Sequence, residues 1–261
     1  MNIQRSVGKH RPQLAGRWSF VPIILCALAG MPALASEPGN HWTVAPYLWA
    51  PHLHGRVGLG PVEVPLDVSS GELAGGVSSG AMGLLRWSDD RQFVYLEGIS
   101  MRFTDKEFAP FFDQSVEAEL AFAELGYGRH YSVNVDFPVR GAMVLSPYVG
   151  LRRVEMDVGV DSQFLGLRAE EQWLDPALGI IVQGPLYGRL DYAIKLDGAG
   201  FDIDRNHYWS GTAGLMLAAT DSLGVVATWR VTSFSANPGG GNDLKLRLRG
   251  SGPEIGITYS F

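Results

Sequence analysis

A chain of 261 residues, 46% hydrophobic and 18% charged, can bury one sizeable core, and no linker, charge run or shift in composition separates two. Its single cysteine, Cys26, lies in the N-terminal segment, so the rest of the chain forms neither disulfides nor thiol or Cys-ligated metal sites. The formal charge of −6 argues against nucleic acid as a partner, because phosphates are bound through a cationic footprint that displaces counterions.

The N-terminus carries Arg5, Lys9, Arg11 and Arg17 without an acidic residue, then an apolar run over 20–29, then Ala33, Leu34 and Ala35 before Ser36. A basic region, a short apolar core and an A-x-A site predict a secretory signal over 1–35, cleaved after Ala35. The apolar core is about half of the ~20 residues that a membrane-spanning helix needs. Leu25 precedes Cys26 where a lipoprotein signal needs a small residue, so Cys26 reads as part of the apolar core. Residues 36–261 are then the mature domain, with 17 Lys and Arg against 27 Asp and Glu and a formal charge of −10.

Beyond residue 40 helical periodicity is scarce and period-2 alternation recurs to the last residue. It predicts strands over 41–58, 78–88, 91–103, 116–131, 144–157, 171–183, 186–200, 208–219, 222–235 and 246–261. In the strand over 186–200, Leu190, Tyr192, Ile194 and Leu196 alternate with Asp191, Ala193, Lys195 and Asp197. The next two repeat this, with Trp209, Ala213, Leu215 and Leu217, then Leu223, Val225, Ala227, Trp229 and Val231, along one face. The last strand sets Pro253, Ile255, Ile257, Tyr259 and Phe261 against Gly252, Glu254, Gly256, Thr258 and Ser260.

Alternation alone fits a soluble sandwich or a membrane barrel. The connections discriminate: short polar turns at 88–91, 184–185 and 220–222 alternate with longer segments at 104–115, 158–171, 201–207 and 235–245. Tight turns on one rim and long loops on the other are a barrel's signature. Trp42, Trp49, Trp87, Trp173, Trp209, Tyr131, Tyr208 and Phe261 fall near predicted strand ends, as two aromatic girdles require. The expected fold is all-β: a transmembrane antiparallel up-and-down β-barrel of about ten strands, with eight or twelve as alternatives. Twelve follows if the segment over 57–68 forms a further hairpin; the stretch over 58–73 otherwise folds inward as a constriction or caps the mouth.

Tyr47, Leu48, Trp49 and Pro51 near the start, and Gly252, Pro253, Gly256 and Phe261 at the end, resemble uncharacterised proteobacterial outer-membrane barrels of porin-like type. Gly150 to Arg152, Trp173 to Gly179 and Asp197 to Phe201 extend the resemblance. It implies the outer membrane of a Gram-negative cell, with Phe261, Tyr259 and Ile257 as the insertion signal read by the barrel-assembly machinery. It also implies contact with outer-membrane lipid and lipopolysaccharide, and a monomer. Ile181 departs from the pattern where a basic inward residue is expected.

With apolar positions outward, Glu97, Glu124, Arg152, Asp175, Lys195, Asp197, Arg230 and Glu254 become candidate lumen residues. Buried charges must be paired or hydrated, so these form either a structural ionic plug or the lining of a narrow porin-like passage for small solutes. In the second case Gly126, Gly150, Gly214 and Gly256 keep the lumen open. A lipid acyl hydrolase is a third class, with His207 and Ser210 as its Ser–His pair and Asp202 or Asp204 as the orienting group. His52 and His54 lack an evident third metal ligand, and Gly58 to Gly60 and Gly239 to Gly241 are turn glycines without a following helix, so no metal, cofactor or nucleotide site is expected.

Overall fold

A computed structural model describes residues 40–59, 62–71, 77–105, 115–135, 141–161, 166–202, 206–237 and 244–261. The segments are β1 (His41–Trp49), β2 (His52–Leu59), β3 (Val62–Val68), β4 (Val77–Ser88), β5 (Gln92–Asp105), β6 (Ser115–Arg129) and β7 (Tyr131–Val135). They continue as β8 (Gly141–Asp161), β9 (Gly166–Tyr187), β10 (Leu190–Asp202), β11 (Asn206–Ala218), β12 (Leu223–Ala236) and β13 (Leu244–Ser260). The signal expected over 1–35, with Cys26, lies outside the described residues.

Every pairing is antiparallel, and β1 pairs with both β4 and β13, which closes the sheet into an up-and-down barrel. At the seam Trp42 N donates to Phe261 O at 2.8 Å and Phe261 N donates to Trp42 O at 2.9 Å. Closure leaves no barrel edge, as a wall in lipid requires.

Thirteen segments make ten staves. β1 and β2 both run along β13 and are parted at Ala50–Pro51, where Ala50 N donates to Pro253 O at 3.0 Å. β6 and β7 likewise follow β8 in one register. The hairpin anticipated over 57–68 exists as β2 and β3, but β3 pairs with β2 as a flap on the rim and the barrel stays at ten. The stretch over 58–73 is therefore strand for most of its length, not an inward loop.

Two sequence expectations about connections are corrected. The turn assigned to 184–185 falls at Gly188 and Arg189, where Gly188 adopts φ +59° as the first residue of a two-residue hairpin loop. Gly184 and Pro185 remain in β9, and the register shifts between Leu190 and Asp191 to absorb the extra residue. The long loop assigned to 158–171 is largely strand, since β8 and β9 pair out to Asp161 and Gly166, and the one assigned to 235–245 is strand at both ends, where β12 pairs with β13 out to Ala236. Residues 106–114, 162–165, 203–205 and 238–243 lie outside the described set.

Those extensions keep the strand period but exchange its polarity. On β12 the outward positions are Leu223, Val225, Ala227, Trp229 and Val231, and then Ser233 and Ser235, while inward Arg230 gives way to Phe234 and Ala236. On β13 outward Ile257, Ile255 and Pro253 give way to Arg249, Arg247 and Lys245, as inward Glu254 gives way to Leu248 and Leu246. β8 does the same, with outward Val149 and Leu151 followed by Arg153 and Glu155, and inward Arg152 followed by Val154 and Met156. On β9, which runs the other way, outward Glu170 and Gln172 give way to Leu174 and Leu178 as inward Trp173 gives way to Asp175. The exchange falls at one step of the β12–β13 ladder, with Ser233 opposite Arg249, and within one pair along the β8–β9 ladder, with Arg153 opposite Leu174 and Glu155 opposite Gln172. Below it the wall is apolar outside and charged inside, as hydrocarbon demands; above it the wall is polar outside and apolar inside, as water demands.

Candidate functional site in the barrel interior

The charged residues that alternation places on the inward face converge at mid-height. Glu97 on β5 accepts from Lys195 Nζ at 2.8 Å, from Tyr47 Oη at 2.8 Å and from Arg230 Nη2 at 3.2 Å. Arg230 also lies 2.9 Å from Glu254 Oε2, and Glu254 Oε1 accepts from Thr228 Oγ1 at 3.1 Å. Beside this group, Arg152 donates from Nε to Glu124 at 2.6 Å and from Nη2 to Asp197 at 2.9 Å. Tyr95 Oη also donates to Glu124. Asp175 stands apart and accepts from Trp173 Nε1 at 2.8 Å. The side chains of Arg152 and Arg230 are each 8% exposed, so neither cation relies on bulk water.

Aromatic rings hold these cations in place. The Arg152 guanidinium lies 3.8 Å from the Tyr208 ring centroid, and that of Arg230 lies 5.4 Å from Tyr47 and 5.7 Å from Trp49. Lys195 Nζ sits 5.5 Å from Tyr95 and 5.7 Å from Tyr148. Ring faces carry negative charge, so these contacts add attraction without adding a carboxylate.

Below the ionic layer, toward the short turns, Phe93, Tyr95 and Tyr148 pack with Leu84 and Ile181. Tyr95 and Tyr148 meet edge to face at 5.4 Å, and Phe93 stacks on His130 at 5.1 Å. His130 is held by Ser146 Oγ at 2.8 Å and Ser88 Oγ at 3.0 Å. Each of these aromatics faces a glycine across the ladder: Phe93 opposite Gly128, Tyr95 opposite Gly126 and Tyr148 opposite Gly179. A Cβ on Gly126 would meet the Tyr95 ring at 2.3 Å. The glycines expected to keep the lumen open instead give up their space: a ring lies across Gly126, and at Gly150, Gly214 and Gly256 a Cβ would meet neighbouring backbone or Cβ atoms within 3.0 Å. Ile181, where a basic residue was expected, belongs to this apolar layer. At the mouth beneath it a cavity of about 200 Å³ is lined by Val144, Gln183, Pro185, Asp191 and Met216.

Above the ionic layer, Val154, Met156, Phe234, Ala236 and Leu246 form a second apolar layer with Phe122 and Trp173. Phe234 meets Phe122 edge to face at 5.9 Å and stacks on Trp173 at 6.0 Å. The interior is thus three stacked layers, two of which sequence reasoning missed. A signal was present in the run Phe93, Val94, Tyr95 and Leu96, which is apolar at both parities and so buries one apolar face inside.

The Ser–His alternative finds no support in this geometry. Ser210 is buried on the inward face of β11, whereas His207, three residues away, takes the opposite face with its Nδ1 unpartnered. An odd spacing in a strand separates two side chains across the wall, so His207 and Ser210 do not form a Ser–His pair. Asp202 ends β10, and Asp204 lies outside the described residues. His52 bonds Asp67 at 2.7 Å on the rim, and among the described residues no group of three His, Cys, Asp or Glu is placed to hold a metal ion. At the C-terminus, Ile257 points outward at 54% exposure, and the Tyr259 and Phe261 rings lie 5.8 Å apart at the foot of the seam.

A closed antiparallel wall, apolar outside and ionic within over a common height, decides the setting: this chain is an integral membrane β-barrel. No protein-family model matches the chain, and no curated protein does. Among solved structures it is similar to the outer membrane protease OmpT of Escherichia coli, at 11% identity over 87% of this chain and 99% of that one, with a TM-score of 0.44. It is also similar to Ail, the attachment invasion locus protein of Yersinia pestis, at 10% identity over 86% and 100% of the two chains, with a TM-score of 0.33. A third is Neisserial surface protein A, at 12% identity over 85% and 99%, with a TM-score of 0.32.

Proposed function

We propose that this barrel resides in the outer membrane of a Gram-negative cell, reaches it through cleavage of the signal over 1–35, and is closed to solutes. It acts through the wall and rim that it presents above the bilayer. The observation that carries this reading is the filling of the interior: a paired ionic layer lies between two apolar layers. A porin-like passage needs charges that face water and exchange partners with a passing ion. Here the carboxylates of Glu97, Glu124, Asp197 and Glu254 are engaged by Lys195, Arg152 and Arg230. A ten-stave barrel lies between the size that side chains just fill and the size that leaves a channel, and these side chains favour the filled state.

His41 at the start of β1, Phe261 and the short turns lie on one rim, which supports a periplasmic assignment for that rim and an outward one for the long strands. The apolar side chains of Ile257, Tyr259 and Phe261 at the foot of β13 suit them to be read by the barrel-assembly machinery during insertion.

The test is single-channel recording of the refolded mature chain in a planar bilayer, after its folded band is seen to shift on heating. A folded, silent barrel is expected. Discrete conductance steps whose ion selectivity changes in Arg152→Gln and Arg230→Gln would overturn the closed reading in favour of passage.

A further inference from the structure

The outward face of β13 above the polarity exchange carries Lys245, Arg247 and Arg249 at every second position, all exposed. The adjacent β2 places exposed Arg56 opposite Arg247 and exposed His54 opposite Arg249, while its His52 bonds the carboxylate of Asp67 at 2.7 Å. Among the described residues no carboxylate pairs with Lys245, Arg247 or Arg249. Cations at three successive outward positions of one strand attract a counter-charge from outside the wall. Elsewhere at this height the pattern differs: Arg102 pairs with Glu119 at 2.7 Å and Arg153 with Glu155 at 2.5 Å. In a chain whose mature part carries a formal charge of −10, cations concentrated on one strip of wall need a reason.

The height of the strip supplies it. With a rise of ~3.4 Å per residue and a tilt of 35–45°, each residue climbs roughly 2.6 Å, so the twelve residues from Phe261 to Arg249 climb roughly 30 Å. An outward apolar band is about 25 Å tall, which places Arg249 just above the hydrocarbon, at the level of headgroups. Beneath the cations the wall is apolar and bare: Leu48 is 71% exposed, Ile255 58% and Trp229 55%. Leu48 is the direct neighbour of Ile255, and Trp229 of Pro253, so these side chains form one patch, with Ser251 between it and Arg249 on the outward face of β13.

We infer that this strip of wall binds the phosphorylated headgroup of an acyl lipid in the leaflet on the long-strand side, with the acyl chains laid over Leu48, Ile255 and Trp229. The inference rests on the membrane reading above. Guanidinium groups are suited to it because they hold phosphate oxygens bidentately, and two of them stand one strand repeat apart on β13.

The test uses the refolded mature chain in neutral detergent, with diphosphorylated lipid A as the probe and its dephosphorylated form as the control. Bound lipid is counted by native mass spectrometry. The wild type is expected to retain lipid A, and a Lys245→Gln, Arg247→Gln, Arg249→Gln variant to bind it roughly tenfold more weakly or worse, with the difference shrinking in salt. Dephosphorylated lipid A should not distinguish the two. An Arg247→Lys, Arg249→Lys variant should stay near the wild type, and Arg153→Gln on another part of the wall should change nothing.

Equal lipid A affinity in wild type and triple variant would overturn the site, as would displacement of lipid A by inorganic phosphate at equal concentration, which marks a site for the free ion. If the triple variant gives no folded band, the salt dependence of the wild type decides, and affinity unchanged from low to high salt overturns the proposal. Failure of the wild type to insert into phosphatidylcholine vesicles would remove the membrane reading itself and this site with it. Insertion without preference for phosphorylated lipid would remove the site alone.

Discussion

Lys195 Nζ on β10 lies 2.8 Å from Glu97 Oε2 on β5, joining staves that are separated along the wall by β6, β8 and β9. Such a bond crosses the lumen, and it ties opposite walls of the barrel together. Lys195→Met leaves Glu97 still bonded by Arg230 and Tyr47, so the loss stays below the about 3–5 kcal/mol of a buried charge stripped of all compensation. Lys195→Met should therefore lower the urea unfolding free energy of the chain folded in vesicles by about 1–3 kcal/mol, the loss of one buried charge-assisted bond, and adding Glu97→Gln should recover part of it. Additive losses in the two variants would show that the pair is not coupled.

The upper apolar layer makes a separate prediction. Phe234 is 8% exposed between Phe122 and Trp173, and truncating such a ring costs about 3–5 kcal/mol. Phe234→Ala should lose stability by that amount yet remain silent in a planar bilayer, because the ionic and lower aromatic layers still fill the lumen. Conductance in this variant would make the upper layer the sole barrier.

The polarity exchange can be located by a depth scan with one cation. Ile255 points outward within the apolar belt and Ser233 outward just above it. Ile255→Arg should cost about 2–4 kcal/mol in vesicle unfolding and Ser233→Arg no more than about 1, following the depth dependence of charges on a lipid-facing wall. Equal costs would place the boundary elsewhere.

The turn between β4 and β5 makes a prediction about pH. Asp89 Oδ1 accepts from the backbone N–H groups of Arg91 and Gln92, each at 2.7 Å, and these bonds hold its carboxyl below the ordinary carboxylate value. A group with a depressed folded value stabilises above its unfolded value, and that contribution is lost as pH falls through the folded one. Unfolding midpoints followed from neutral pH into the acid range should therefore fall in the wild type below the ordinary aspartate value. Asp89→Asn should lack that part of the decline; identical pH profiles would sink the assignment.

The period-2 pattern of β10 to β13 determined the all-β class and the outward apolar face locally, because strand geometry sends successive side chains to opposite sides whatever the partner strand. The same alternation separated Arg152, Lys195, Arg230 and Glu254 from their apolar neighbours. It could not say that Lys195 meets Glu97 or that Arg152 meets Asp197, since those contacts depend on stagger and closure, which bring residues far apart in sequence to one height. Nor could it separate strand from loop in the extensions of β8, β9, β12 and β13. There the polar residues occupy the outward face in water, and a sequence that reads as a hydrophilic connection is a continuing strand with its polarity exchanged. Whether the lumen is filled was also a tertiary matter: Tyr95 reaches across Gly126 only because the register places them opposite, and one residue of slip would have turned the ring to the lipid.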